Sequence, residues 1–159
     1  MHVKFLLVEG KLDAVVLDAV LGRSLTVQRG GSKYALKPKA DEARRSKSTT
    51  GPTYYIRDRD FDFDPPSDRF SPRIHSEKGG RPVGWYWCRH EMENYLLEPG
   101  IVAKALECDE MEYRKALLEV APSLCDYEAA RATIGSVRRI LPPNYDLRTR
   151  PDGLNELAV

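Results

Sequence analysis

The chain has 159 residues, 42% of them hydrophobic and 31% charged, with a formal net charge of +1. That length suits one domain with a real core and a small appendage, and so balanced a charge gives no overall attraction to nucleic acid or to an anionic membrane. Cys88, Cys108 and Cys125 are odd in number and form no C-x-x-C pair, which argues against a disulfide framework and against a structural zinc site. A reducing cytoplasm is the expected compartment, since nothing approaches a membrane-spanning apolar run and no signal-peptide pattern is present.

Residues 3–8 read as a buried strand, Glu9–Gly10 as a tight turn, and 11–21 as a helix. Leu12, Val15, Val16, Ala19 and Val20 fall on one apolar helical face. Gly22 suits a helix C-cap, and Leu25 to Gln28 form a second strand, so the chain opens as an α/β sheet with a right-handed crossover. Residues 29–52 turn polar and basic and are expected to be a loop around a short helix at 40–47. Seven Lys/Arg lie between Arg29 and Lys47 against Asp41 and Glu42. Lys33, Lys37, Lys39, Arg44 and Arg45 are thus candidate phosphate contacts, although a charge run is ordinarily a solvated face.

Thr53 to Ile56, β-branched or aromatic, predict a third strand, with Pro65–Pro66 ending any extended structure beyond it. A polar loop over 67–82 leads to a fourth strand, "VGWYWC", and then to a helical start in "HEMENYLLEPG". Two further helices are expected at 101–120 and 126–140, the second stopping before Pro142–Pro143. The expected fold class is α/β, a mostly parallel sheet of about four strands flanked by helices, with a C-terminal helical extension. Residues 1–97 form the first domain and 98–159 the extension.

Two groups of acids stand out. Glu9 ends the first strand, with Asp13 one helical turn on. Asp58, Asp60, Asp62 and Asp64 would share one side of an extended chain, with Phe61 and Phe63 on the other. Two like charges about 4 Å apart repel by roughly 4 kcal/mol at an effective dielectric near 20, so such a row must be solvated, protonated or bridged by a cation. The plain alternative is a solvated turn. An EF-hand fails, because counting from Asp58 puts Phe63 where glycine is required and Arg69 where glutamate is required. In an open α/β sheet, ligands gather beyond the strands' carboxyl ends where strand order reverses. Glu9 and the Asp58/Asp60 pair would meet there if their strands are parallel neighbours. Oxygen-only donors suit Mg²⁺ or Mn²⁺, and such ions beside a basic segment are the means of phosphodiester chemistry.

Strand–"VEG"–"KLD"–helix followed by strand–"DRD" resembles the TOPRIM domain of topoisomerases, bacterial primases and overcoming-lysogenization-defect (OLD) nucleases. The E-G-x-x-D form is most similar to the OLD nucleases and to TOPRIM effectors paired with ABC-type ATPases in phage defence, and "RHEMENYLLEP" resembles the segment after their Asp-x-Asp strand. The resemblance covers about residues 3–97. It implies a metal-dependent nuclease acting on DNA or RNA, with Glu9, Asp58 and Asp60 catalytic and Asp13 and Glu93 supporting the metal. The alternative is a non-catalytic TOPRIM-like interaction module serving an ATPase. No P-loop is present, so any ATPase is a separate partner. The chain is short for a topoisomerase's tyrosine domain, and its cysteines do not fit a primase zinc module.

Of the remaining residues, His90 could serve as a base or be structural, and Glu93 could turn toward the acidic rim, or Glu91 and Glu93 only favour a helix start. Arg57 and Arg59 could neutralise the acids or contact a phosphate. Trp85 and Trp87 read as core rather than as base-stacking platforms.

Overall fold

A computed structural model describes residues 3–46 and 51–140. The Pro142–Pro143 stop and the end of the expected extension lie outside the described residues. Two units are distinguished among the described residues: those up to 59 with 65–92, and 60–64 with 93–140.

The first unit is an α/β sheet. Strands β1 (Phe5–Val8), β2 (Thr26–Arg29), β3 (Thr53–Arg57), β4 (Arg73–Ser76) and β5 (Pro82–Tyr86) lie in the order β2-β1-β3-β5-β4. β1 pairs in parallel with both β2 and β3, β3 pairs in parallel with β5, and only β4 runs antiparallel. The fold is thus mostly parallel as expected, with five strands rather than four. The added strand comes from the expected 67–82 loop. Its Glu77–Arg81 hairpin closes with Glu77 N–H donating to Arg81 O at 2.9 Å, helped by Gly79 and Gly80 at φ 104° and 81°.

Helix α1 (Lys11–Leu21) covers one face of the sheet, with Leu17 packed among Leu6, Val8 and Ile56. Its inward side is not the expected one. Asp13 and Leu17 are buried, whereas Leu12, Val15 and Val20 are 43%, 58% and 71% exposed. The strand-end turn fixes the helix's rotation through Asp13, whose carboxylate accepts the Gly10 N–H at 2.8 Å. That contact overrides the apolar periodicity.

The short helix expected at 40–47 is the end of a longer one, α2 (Lys33–Arg45), which begins in what was expected to be loop and crosses the opposite face. Leu36 and Ala40, one turn apart and fully buried, pack on Leu7, Tyr55 and Val83. Burial of that pair offsets the helix-breaking effect of Pro38.

Above α2, Tyr55 is fully buried and its hydroxyl bonds His75 Nδ1 across the sheet. Burial pushes the Tyr55 pKa up to about 12, so the phenol keeps its proton in the bond it shares with His75. Burial, then the nearby Arg57 and Lys37 charges, hold His75 below its ordinary pKa of 6.5. An unfolded chain therefore takes up this proton first as pH falls through 6.5, and stability declines below that value. Urea unfolding at pH 7.5 and 5.5 should show the decline, and it should be smaller in His75→Gln.

The second unit is helical. α3 (Glu93–Leu96) and α4 (Pro99–Leu106) lead to α5 (Glu110–Ile140), and α4 packs on α5. The two helices expected at 101–120 and 126–140 are therefore one short helix and one long one, which runs through Pro122. Residues 60–64 join this unit: Phe61 lies under the Arg131 guanidinium at 5.2 Å, and Arg139 pairs with Asp64 at 2.8 Å. No described helix is long and apolar enough to cross a membrane.

Candidate functional site

Strand order places the site. β1 connects through α1 to β2 on one side and is flanked on the other by β3, so the order reverses between β1 and β3. Glu9 follows the end of β1 and Asp58 the end of β3, on the same carboxyl edge. Glu9 Oε1 accepts the backbone N–H of Asp58 at 3.1 Å, which ties the two strand ends together. Both acids are half-buried, and Arg29 Nε reaches the Glu9 carbonyl at 3.4 Å.

Asp13 adjoins this edge, but its carboxylate is turned back on the chain. A side chain at Gly10 would place Cβ 2.6 Å from Asp13 Oδ2, so glycine is what allows this close cap. The expected extended row of carboxylates does not form. β3 ends at Arg57, and Asp60 takes the left-handed backbone conformation at φ 45°, so the chain turns where a strand would have aligned Asp58, Asp60, Asp62 and Asp64. Aspartate tolerates that conformation better than most residues, so the turn is favoured by the same residue type that suggested the row. Asp60 and Glu93 belong to the second unit, and Glu93 is exposed at the start of α3. In the first unit, His90 Nε2 lies 3.4 Å from Glu91 Oε1.

The basic candidates are mostly engaged within the fold. Arg44 donates to the carbonyls of Thr53 and Val83, each at 3.1 Å, and pairs with Asp41. Lys37 bonds Asp41 at 2.7 Å and Glu77 at 3.4 Å, and Lys39 donates to the Gly30 carbonyl at 2.5 Å. Arg45 Nε donates to the Asp41 carbonyl at 3.2 Å, and Lys33 lies 5.9 Å from the Tyr34 ring centre. Burial opposes the charged form of Asp41, but hydrogen bonds from Lys37 and Arg44 outweigh it and hold the carboxyl below its usual range. Arg44 thus clamps α2 to β3 and β5. Arg44→Ala should cost about 3 kcal/mol in urea unfolding, because charged hydrogen bonds are lost and carbonyls are left without their donor.

Sequence reasoning singled out Arg57 but missed the side chains that steady it beside this edge. Arg57 stacks over Tyr86 at 4.5 Å and donates to its hydroxyl at 3.1 Å, and Tyr86 in turn packs on His75 at 4.7 Å. The missed signal was the short "RIHS" run before the "EKGG" turn, which places His75 on β4. Trp85 and Trp87 pack on the α1-side core and line an apolar groove of about 290 Å³ with Leu17, Leu21 and Pro72.

No protein-family model matches the chain, and comparison with curated proteins and with solved structures finds no match.

Proposed function

We propose that the chain is a metal-dependent phosphodiesterase, a nuclease of the TOPRIM type acting on DNA or RNA in phage defence. One observation carries the reading: two acids from parallel neighbouring strands meet at the point where strand order reverses, linked by the Glu9–Asp58 bond. The donors are carboxylate oxygens, which fit Mg²⁺ or Mn²⁺ rather than a soft metal. Glu9 and Asp58 would hold the ion, and Asp13 would keep the Glu9–Gly10 turn in place. When bound, such an ion lowers the pKa of water and stabilises charge on a departing oxygen. Glu9 accepts the Asp58 backbone N–H, which holds the two strand ends together. Arg57, steadied on Tyr86, is suited to a phosphate oxygen.

The engagement of Lys37, Lys39 and Arg44 inside the fold favours a second reading, a module that serves a separate ABC-type ATPase without cutting. Incubation with plasmid DNA and total RNA, in Mg²⁺, Mn²⁺ or EDTA and with and without an ATPase partner, separates the two. The nuclease reading expects metal-dependent cleavage that EDTA stops. No cleavage under any condition supports the module.

A further inference from the structure

The middle of α5 carries an apolar face that the unit itself does not cover. Tyr113 and Leu117 are half-buried where α4 packs, and Arg131 and Gly135 are buried with Phe61. Every side chain from 118 to 129 is exposed. Within that stretch Val120, Leu124 and Tyr127 continue from Leu117 at alternating spacings of three and four, which stacks them on one side of the helix. They are 57%, 52% and 36% exposed. Ala116, Ala121 and Ser123 border them and allow another backbone to come close. Pro122, at about 100° of rotation per residue, points away from this face, so it blocks nothing there.

The charges beside the face indicate what covers it. Arg114 and Glu128 lie along the same border, seven residues before and seven after Ala121. Two such helices crossing antiparallel about Ala121 set Arg114 of each against Glu128 of the other. A parallel, in-register pair sets neither opposite its counter-charge. Within one copy Arg114 pairs with Glu110 at 3.3 Å between half-exposed side chains, a contact readily exchanged. Glu128 Oε1 instead holds the buried Arg131 at 2.8 Å, and its half-exposed carboxylate has a second oxygen with which to accept from Arg114 of the other copy. The face is thus complementary to itself in one orientation.

We propose that α5 is a self-association helix, through which two copies of this chain pair antiparallel about Ala121 and bury Val120, Leu124 and Tyr127 of each. The test is sedimentation of the full chain over a concentration series. Wild type is expected to dimerise, and Leu124→Glu to sediment as a monomer with unchanged helical circular dichroism, since Leu124 is exposed in the single copy. Arg114→Glu and Glu128→Arg should each weaken association about tenfold, because two symmetry-related pairs turn repulsive at once. The double variant should restore it. A wild type that stays monomeric throughout, or a dimer indifferent to Leu124→Glu, overturns the proposal. A double variant no better than the single ones overturns the antiparallel register.

Discussion

Glu9→Gln and Asp58→Asn should each lower metal-dependent cleavage by about a thousandfold while leaving the fold intact. Loss of a carboxylate ligand forfeits several kcal/mol of transition-state stabilisation, and each 1.36 kcal/mol is tenfold in rate. Glutamine keeps a carbonyl oxygen where Glu9 Oε1 accepts the Asp58 N–H at 3.1 Å, so the link between β1 and β3 survives. Both changes also keep the size and shape of the side chain, so the metal-free melting temperature should stay close to that of wild type. Cleavage rates and melting curves for the three proteins, with and without Mn²⁺, check both halves. Asp13→Ala should behave differently and lower stability by about 1 kcal/mol, because its carboxylate caps the Gly10 amide.

Gly84→Ala should be the most damaging single methyl group in the sheet. A Cβ there would sit 2.5 Å from the Tyr55 carbonyl and 2.8 Å from its ring. Neither can yield, since that carbonyl belongs to β3 and the ring is fully buried between β5 and α2. Overpacking of this kind costs about 3 kcal/mol, read as a lower urea midpoint with an unchanged slope. Gly79→Ala offers the contrast. Its φ of 104° strains an alanine, but nothing lies within 4 Å of the added carbon. Its cost should be about 1 kcal/mol, the strain of the backbone alone.

What could be read from the sequence was what local chemistry dictates. The apolar run Phe5–Val8, the Glu9–Gly10 turn and the helix after it announce a parallel βαβ unit, and the Thr53–Arg57 strand follows from its β-branched and aromatic residues. Glu9 and Asp58 could be paired in advance because both end strands, and strand ends converge where the order reverses. Features that tertiary packing decides stayed hidden. The start of α2 looked like a loop because Pro38 and its lysines mask two buried residues, Leu36 and Ala40, and its basic side chains bond inward. The buried face of α1 was misread because Asp13 sets the helix's rotation. Alternation of Asp58, Asp60, Asp62 and Asp64 suggested a strand, yet aspartate also favours the left-handed turn found at Asp60. The gap left between the helices expected at 101–120 and 126–140 is spanned by one long helix, which absorbs Pro122.

Titration of the metal-free protein with Mn²⁺, followed by the electron paramagnetic resonance of the free ion, bears most directly on the Glu9–Asp58 edge. The account predicts saturable binding that Mg²⁺ displaces and that is weakened at least about tenfold in Glu9→Gln and in Asp58→Asn, since each variant loses one charged donor. Binding of equal strength in wild type and both variants, or no binding at all, would contradict it.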